Sequence, residues 1–494
     1  MLRWYYGLNP VVRLLVRWAF IAVLTLVAFW ETLDNLVQTT LAGGLVSYVW
    51  IVPPAAALAA LGVNFRRRNE LPIHDRQTDI IVGLIGMGLA LMVQGVLLAR
   101  YAEFFHLMRL DLLAMWLFAF SCGVVLFGVR PIMRFVWVWV MLSLVFPLPY
   151  QILVIVLGGG KVAAAIGTIV IAAAASAIAV GRTPRRALIG AVGSLLIGLV
   201  ILLAMYLFAE NSSLLAYQAI PALGSILVVG LSGFLYVRRG KPKQIWNRKV
   251  EPLAAKQIWS AVPLVIVVAT ALAFMPLPVQ LSKTTISRAA PFDLEPDREL
   301  ATPTGWSLST ATTYSEVSRY YGDDAVLVRQ RFVADAGDPR FDKLSAPRTL
   351  TVDSIVSDLP FSFDAYPGQV LYDTTGTRLS APREVDLGHG VTGEIISAID
   401  DRLLVTWNVL RFAWGDDDKD QIVDVFAVDN HLPNAPFPSP ERGLISTLRN
   451  LLTVLFRGNA VVVQEHPKFK DAELLTEFGR DLVAAQFEPT GAKK

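Results

Sequence analysis

The sequence predicts a membrane-embedded all-α helical bundle of about nine transmembrane helices, followed by an extracytoplasmic α+β domain with an antiparallel sheet. Three observations predict it. Apolar runs of about 20 residues recur through the first 279 residues and then stop. Net charge changes sign at the same point, and shorter segments of alternating apolar and polar residues follow. The boundaries read as a polytopic domain over 1–279, an extended linker over 280–305 and the sheet domain over 306–494.

Windows long enough to span the hydrocarbon lie at 11–30, 41–62, 79–99, 110–129, 132–150, 161–181, 187–208, 216–237 and 258–278. The first is longer than the apolar core of a signal peptide and has no small-residue cleavage site after it, so it reads as a retained span. The chain is 54% hydrophobic and 17% charged, with a mean hydropathy of +0.51. Soluble domains average about 25% charged residues. That average hides a division: residues 1–279 hold 22 Lys and Arg against 9 Asp and Glu, and residues 280–494 hold 22 against 32.

With the N-terminus in the cytoplasm, the inner segments carry 19 Lys and Arg, among them Arg66–Arg68, Arg182, Arg185 and Arg186. The outer connections carry only Arg100, Arg109 and Lys161. Lys and Arg are retained on the cytoplasmic side, so this split predicts an odd number of spans in the plasma (inner) membrane and an extracytoplasmic domain after Pro278.

Beyond Pro278, the polar stretch from Lys283 to Gly305 carries Pro291, Pro296 and Pro303 and reads as a stalk. Strands are predicted at 325–334, 348–356, 369–372, 391–399, 403–412 and 422–428. Two helices are predicted at 442–456 and about 468–487. One cysteine, Cys122, leaves no intramolecular disulfide to support the domain, which must rely on its own core.

Few residues point to chemistry. Cys122 lies about 11 residues, or ~16 Å, down its span, where packing is the expected role of a thiol. The outer connection after Arg100 gathers Glu103, His106, Arg109 and Asp111, a set able to hold an anionic head group or to move a proton, although a short polar connection between spans has the same composition and is the favoured reading. The inner loop gathers His74, Asp75, Arg76 and Asp79, suited to a charged lock between loops or to a partner site. Asp416, Asp418 and Asp420 alternate, but the glycine and closing Glu of a calcium loop are missing, so a solvated hairpin turn is expected. No P-loop, Rossmann glycine set or metal-ligand spacing is present, and no cofactor is implied. Phe146-Pro147-Leu148-Pro149 closes the fifth window and Met275-Pro276-Leu277-Pro278 the ninth, both at predicted outer ends.

The stretch from about Gly44 to Leu157 resembles the exosortase/archaeosortase family, membrane-embedded cysteine transpeptidase-like enzymes. The likeness rests on Gly44–Pro54, on the Arg66–Arg68 cluster, and on Arg134 leading through an aromatic span into Phe146-Pro147-Leu148-Pro149. The family's Cys motif follows the proline pair, and here no Cys follows Cys122, so no catalytic residue carries over. The resemblance implies a non-catalytic scaffold or accessory subunit of the bacterial envelope, acting in assembly or sorting of envelope proteins or glycolipids. A membrane enzyme or transporter that grips a lipid-linked substrate through Glu103, His106 and Arg109 is the alternative. Membrane lipids and an envelope protein are the expected partners, and nucleic acid is not.

Overall fold

The computed structural model describes residues 10–64, 76–238, 261–278, 286–359, 361–372, 377–401, 403–416, 419–432, 435–440, 443, 445–446, 448–449, 452–453 and 467–487. The chain divides into two compact units. The first holds Met1–Ala99, Leu107–Leu153 and Lys161–Pro278; the second holds Arg100–His106, Val154–Gly160 and Val279–Lys494.

The helices run in the order α1 (Pro10–Ala28), α2 (Trp30–Leu41), α3 (Leu45–Asn64), α4 (Arg76–Arg100), α5 (Leu110–Phe127), α6 (Val129–Met133), α7 (Val136–Val145), α8 (Leu148–Val156), α9 (Gly160–Val180), α10 (Pro184–Phe208), α11 (Leu214–Arg238) and α12 (Val262–Ala273). Among the described residues six of them are long and apolar enough to cross a bilayer, or eight spans when the bent pairs α1–α2 and α7–α8 count as one each. Such helices are consistent with a multi-pass membrane protein, because a helix satisfies its own backbone in lipid.

At Phe146-Pro147-Leu148-Pro149, expected to close a span, α7 ends at Val145. The helix resumes at Leu148 after a 72° bend. Pro147 cannot donate a backbone hydrogen bond, and the residue before a proline is pushed out of helical geometry: Phe146 sits at φ −70°, ψ 115°. Elsewhere local rules hold. Thr183 caps α10 through a side-chain oxygen that accepts from the Arg186 amide, with Pro184 in the first turn. Gly62 of α3 lies so close to α9 that an added Cβ would meet the Ala179 backbone at 2.2 Å, the close approach small residues permit between apolar helices.

A buried polar network ties α3, α8, α9 and α11. The Gln218 amide donates to the Leu45 carbonyl (3.0 Å) and the Tyr150 hydroxyl (2.9 Å). Ser47 donates to the Gln218 side-chain carbonyl, and Thr168 to the Gln218 backbone carbonyl. The Tyr48 and Tyr150 rings stack at 3.8 Å. Each such group needs its partners, since an unmet polar atom in an apolar bundle is costly.

Among the described residues the second unit is built on a nine-stranded sheet: β1 (Ile286–Ala289), β2 (Trp306–Tyr314), β3 (Val326–Ala334), β4 (Thr349–Ser357), β5 (Arg378–Leu379), β6 (Arg383–Asp386), β7 (Thr392–Asp400), β8 (Val405–Gly415) and β9 (Asp420–Val428). The order is β2-β3-β4-β9-β8-β7-β5, antiparallel throughout, with β6 beside β7 and the short β1 parallel to β8. Helix α13 (Ala472–Phe487) lies on one face. There Leu474, Leu475, Phe478 and Leu482 pack against the alternate residues Leu410, Phe412 and Trp414 of β8 and Val423 and Val425 of β9. Asp471, just before α13, takes hydrogen bonds from Arg348 (2.9 Å) and Asn408 (3.2 Å).

Five of the six predicted strands form within a few residues of their predicted limits, and the helix expected near 468–487 is α13. Two expectations are corrected. Within the linker expected at 280–305, the described residues 286–305 form no stalk: residues 286–289 pair with β8, Leu294 and Leu300 lie in the core, and Gln330 bonds the Leu300 backbone through both its amide atoms. Apolar residues spaced among prolines found a core groove to fill. The strand expected at 369–372 is a helical turn at Gly368–Leu371, opened by Pro367. The strand at 306–314 was not foreseen, because its Ser and Thr residues lack an apolar alternation. Most of the helix expected at 442–456 lies outside the described residues.

Candidate functional site

The outer cluster expected at Glu103, His106, Arg109 and Asp111 is divided between the two units. In the first, Arg109 and Asp111 are both fully buried and face each other as a two-armed pair, Nε to Oδ1 at 3.0 Å and Nη2 to Oδ2 at 2.8 Å. Arg109 also donates to the Asn35 side-chain oxygen (3.0 Å) and the Thr32 carbonyl (3.4 Å) of α2. Its backbone is left-handed at φ +42°, so the chain reverses into α5 while the guanidinium turns inward. Two-pronged carboxylate pairing with further carbonyl acceptors is how a buried arginine is made tolerable. In the second unit Glu103 is buried in a short helical turn, and the His106 ring sits edge-on to Phe361, centroids 4.8 Å apart.

Of the inner cluster, His74 and Asp75 lie outside the described residues. Arg76 and Asp79 hold the α5–α6 turn. Arg76 Nη1 donates to the Val125 carbonyl (2.6 Å) and Arg17 Nη1 to the Leu126 carbonyl (3.3 Å), covering free carbonyls at the end of α5. The Asp79 carboxylate accepts from the Val129 amide at 2.7 Å, at the first residue of α6. Gly128 between the two helices has φ +90°, and an added Cβ would come within 2.9 Å of that carboxylate, so glycine is required there twice over. This geometry is a lock between chain segments.

Cys122 is fully buried in α5. The Asp416 carboxylate accepts from the Lys419 amide at 2.6 Å in the tight β8–β9 connection, while Asp418 lies outside the described residues. Burial, followed by the nearby Asp416, raises the Asp420 pKa to about 6.

The sequence reading missed a row of charges across the sheet face opposite α13. Register places Arg329 of β3 opposite Asp353 of β4, Asp353 opposite Asp424 of β9, Asp424 opposite Arg411 of β8, Arg411 opposite Glu394 of β7, and Glu394 opposite Glu384 of β6. Two of the steps are two-armed ion pairs: Arg329 to Asp353 at 2.7 and 2.6 Å, and Arg411 to Asp424 at 2.7 and 2.9 Å. Tyr372 donates a further hydrogen bond to Asp353 (2.7 Å), and Arg329 one to the Pro438 carbonyl (2.7 Å).

Burial would lower the Arg411 pKa, but the Asp424 carboxylate outweighs it and the guanidinium stays firmly charged. Burial raises Asp353 above the usual carboxylate range against the pull of Arg329, and the adjacent Asp424 adds to the rise. Burial also lifts Glu394, where Arg411 opposes and Glu384 reinforces the shift.

Over this row opens a recess of about 70 Å³, walled by Tyr372, Trp407, Phe426 and Pro367 with Arg411 and Asp424 among its lining residues. Arg411 gives Nε and Nη2 to Asp424, and its Nη1 makes no hydrogen bond among the described residues. Aromatic walls around a fixed polar pair suit recognition of an apolar group carrying one hydrogen-bond acceptor. No local signal marks these residues, because strand pairing alone brings them together across 24 and 13 positions of sequence. Comparison with protein-family models, with curated proteins and with solved structures finds no match to this chain.

Proposed function

We propose that this chain is a nine-span protein of the bacterial inner membrane, N-terminus inside, whose sheet domain is extracytoplasmic and binds another envelope component without catalysing a reaction. The resemblance to exosortases then reflects a shared membrane scaffold. The observation that carries the reading is where the ionisable side chains are engaged. Arg109 with Asp111, Arg76 and Asp79 with backbone, and Arg329 and Arg411 with their aspartates all hold the chain together. The aromatic recess on the sheet remains open to a ligand. With Arg109 fully buried, a grip on a lipid-linked substrate through that residue is less favoured.

Two experiments test this. Cysteines placed at Leu344 and Leu403, both well exposed, are expected to react with a membrane-impermeant maleimide in intact cells, and one at Arg185 only after lysis. Buried Cys122 keeps the background low. The reverse pattern overturns the topology. Purification in mild detergent with mass spectrometry is expected to retain a stoichiometric envelope protein that Tyr372→Ala releases; a lone protein holding one defined lipid overturns the scaffold reading.

A further inference from the structure

The two ends of the sheet are finished differently. At one end β7 is flanked by strands of two and four residues, and the longer of these, β6, reads Arg-Glu-Val-Asp. Short length and charge are the ordinary means by which a sheet edge is protected from pairing with other chains. At the other end stands β2, nine residues long and hydrogen-bonded to β3 on one side; among the described residues no strand lies on its other side. Its sequence, Trp306-Ser-Leu-Ser-Thr-Ala-Thr-Thr-Tyr314, holds no charge and no proline, and residues 307–313 are exposed on both faces. A single bulge between Leu308 and Thr310 interrupts the register, which then runs unbroken from Thr310 to Tyr314.

We infer that β2 is an open pairing edge through which two copies of this chain join their sheets antiparallel about a two-fold axis. An edge with no described strand beside it can take one, and the composition of β2 selects its own copy. Antiparallel self-pairing centred on Thr310 sets Ser307 against Thr313 and Thr310 against its own copy, a favourable cross-strand combination, and brings no charged residue of β2 against its copy. The nearest cations, one strand inward, are occupied: Arg329 by Asp353, and Arg331 over the Phe437 ring at 5.3 Å. An edge of this length buries little surface, so the pairing belongs to membranes, where chains confined together meet at high effective concentration.

The test uses the full-length chain in native membranes, with single cysteines at each position from Ser307 to Thr313 and mild oxidation by copper phenanthroline. Facing Cα atoms in an antiparallel pair are about 4.5–5.5 Å apart, within disulfide reach. The wild type, whose Cys122 is buried, is the blank. The expected result is a disulfide-linked dimer that peaks at one position or two neighbours and falls at least fivefold three residues away. Adding Thr310→Lys and Thr312→Lys, both at exposed sites, is expected to reduce the peak at least fivefold while protease resistance of the domain is unchanged. Absence of a cross-link throughout, an even yield along the strand, indifference to the lysines, or linkage to a different protein each overturns the inference.

Discussion

Removing the Asp424 carboxylate tests whether the charged row holds the sheet domain together. Arg411 and Asp424 are 15% and 6% exposed, so Asp424→Ala leaves a guanidinium largely shielded from water with no counter-charge. Breaking one partner out of a buried pair costs about 3–5 kcal/mol. The loss should fall near the lower figure, because Asp353 stands directly across β4 and β9 and its repulsion is relieved at the same time. For a domain of about 200 residues each kcal/mol corresponds to roughly 2–4 °C in Tm, so a fall of about 6–12 °C is expected. The double replacement Arg411→Met with Asp424→Leu removes both charges and is expected to lie within about 1 kcal/mol of wild type or above it. The assay is urea-dependent pulse proteolysis of the full-length protein in detergent, which follows the intact domain as a protected fragment. The reasoning is refuted if Asp424→Ala costs under about 1 kcal/mol, or if the double variant is as unstable as the single one.

Other outcomes follow from the same geometry. Arg109→Ala should destabilise the helical unit by about 3–5 kcal/mol, since it strands Asp111, whereas Arg109→Met with Asp111→Leu should recover most of the loss in a detergent thermal-stability assay. Asp79→Ala removes the cap on α6 and should cost about 0.5–2 kcal/mol in the same assay, with Asp79→Asn closer to wild type. Gly128→Ala should be worse than Asp79→Ala, because both the backbone angle and the carboxylate oppose a Cβ, and expression level with thermal stability will show it. Asp420 has its folded-state pKa raised to about 6 from an ordinary 3.8, so its ionised form disfavours the folded state: that penalty is absent below about 3.8 and complete above about 6. Domain stability should therefore fall as pH rises through that window, and Asp420→Asn should flatten the fall measured by pulse proteolysis.

The individual elements were largely legible from local pattern. Apolar runs marked α3 to α5 and α9 to α11, and alternation marked β3, β4, β7, β8 and β9, because a membrane helix and a half-buried strand each impose a period that neighbouring residues must share. Where the pattern failed, a competing cause is visible. The Ser and Thr residues of β2 hid an edge strand, and Leu294 and Leu300 in a proline-bearing stretch were core residues.

The site was less legible. Arg76 and Asp79 were named as a possible lock, but nothing local told that their partners are the Val125 carbonyl and the Val129 amide. Arg109 was named with Glu103 and His106 as a ligand grip, but it is buried against Asp111, Asn35 and Thr32 and serves as a pillar. By itself the sequence determined which segments are apolar, where the charge changes sign and which stretches extend, since those depend on residues a few positions apart. Only tertiary structure decided that Arg329, Asp353, Asp424, Arg411, Glu394 and Glu384 form one row, because strand register joins residues distant in the chain, and a charge's role depends on what faces it.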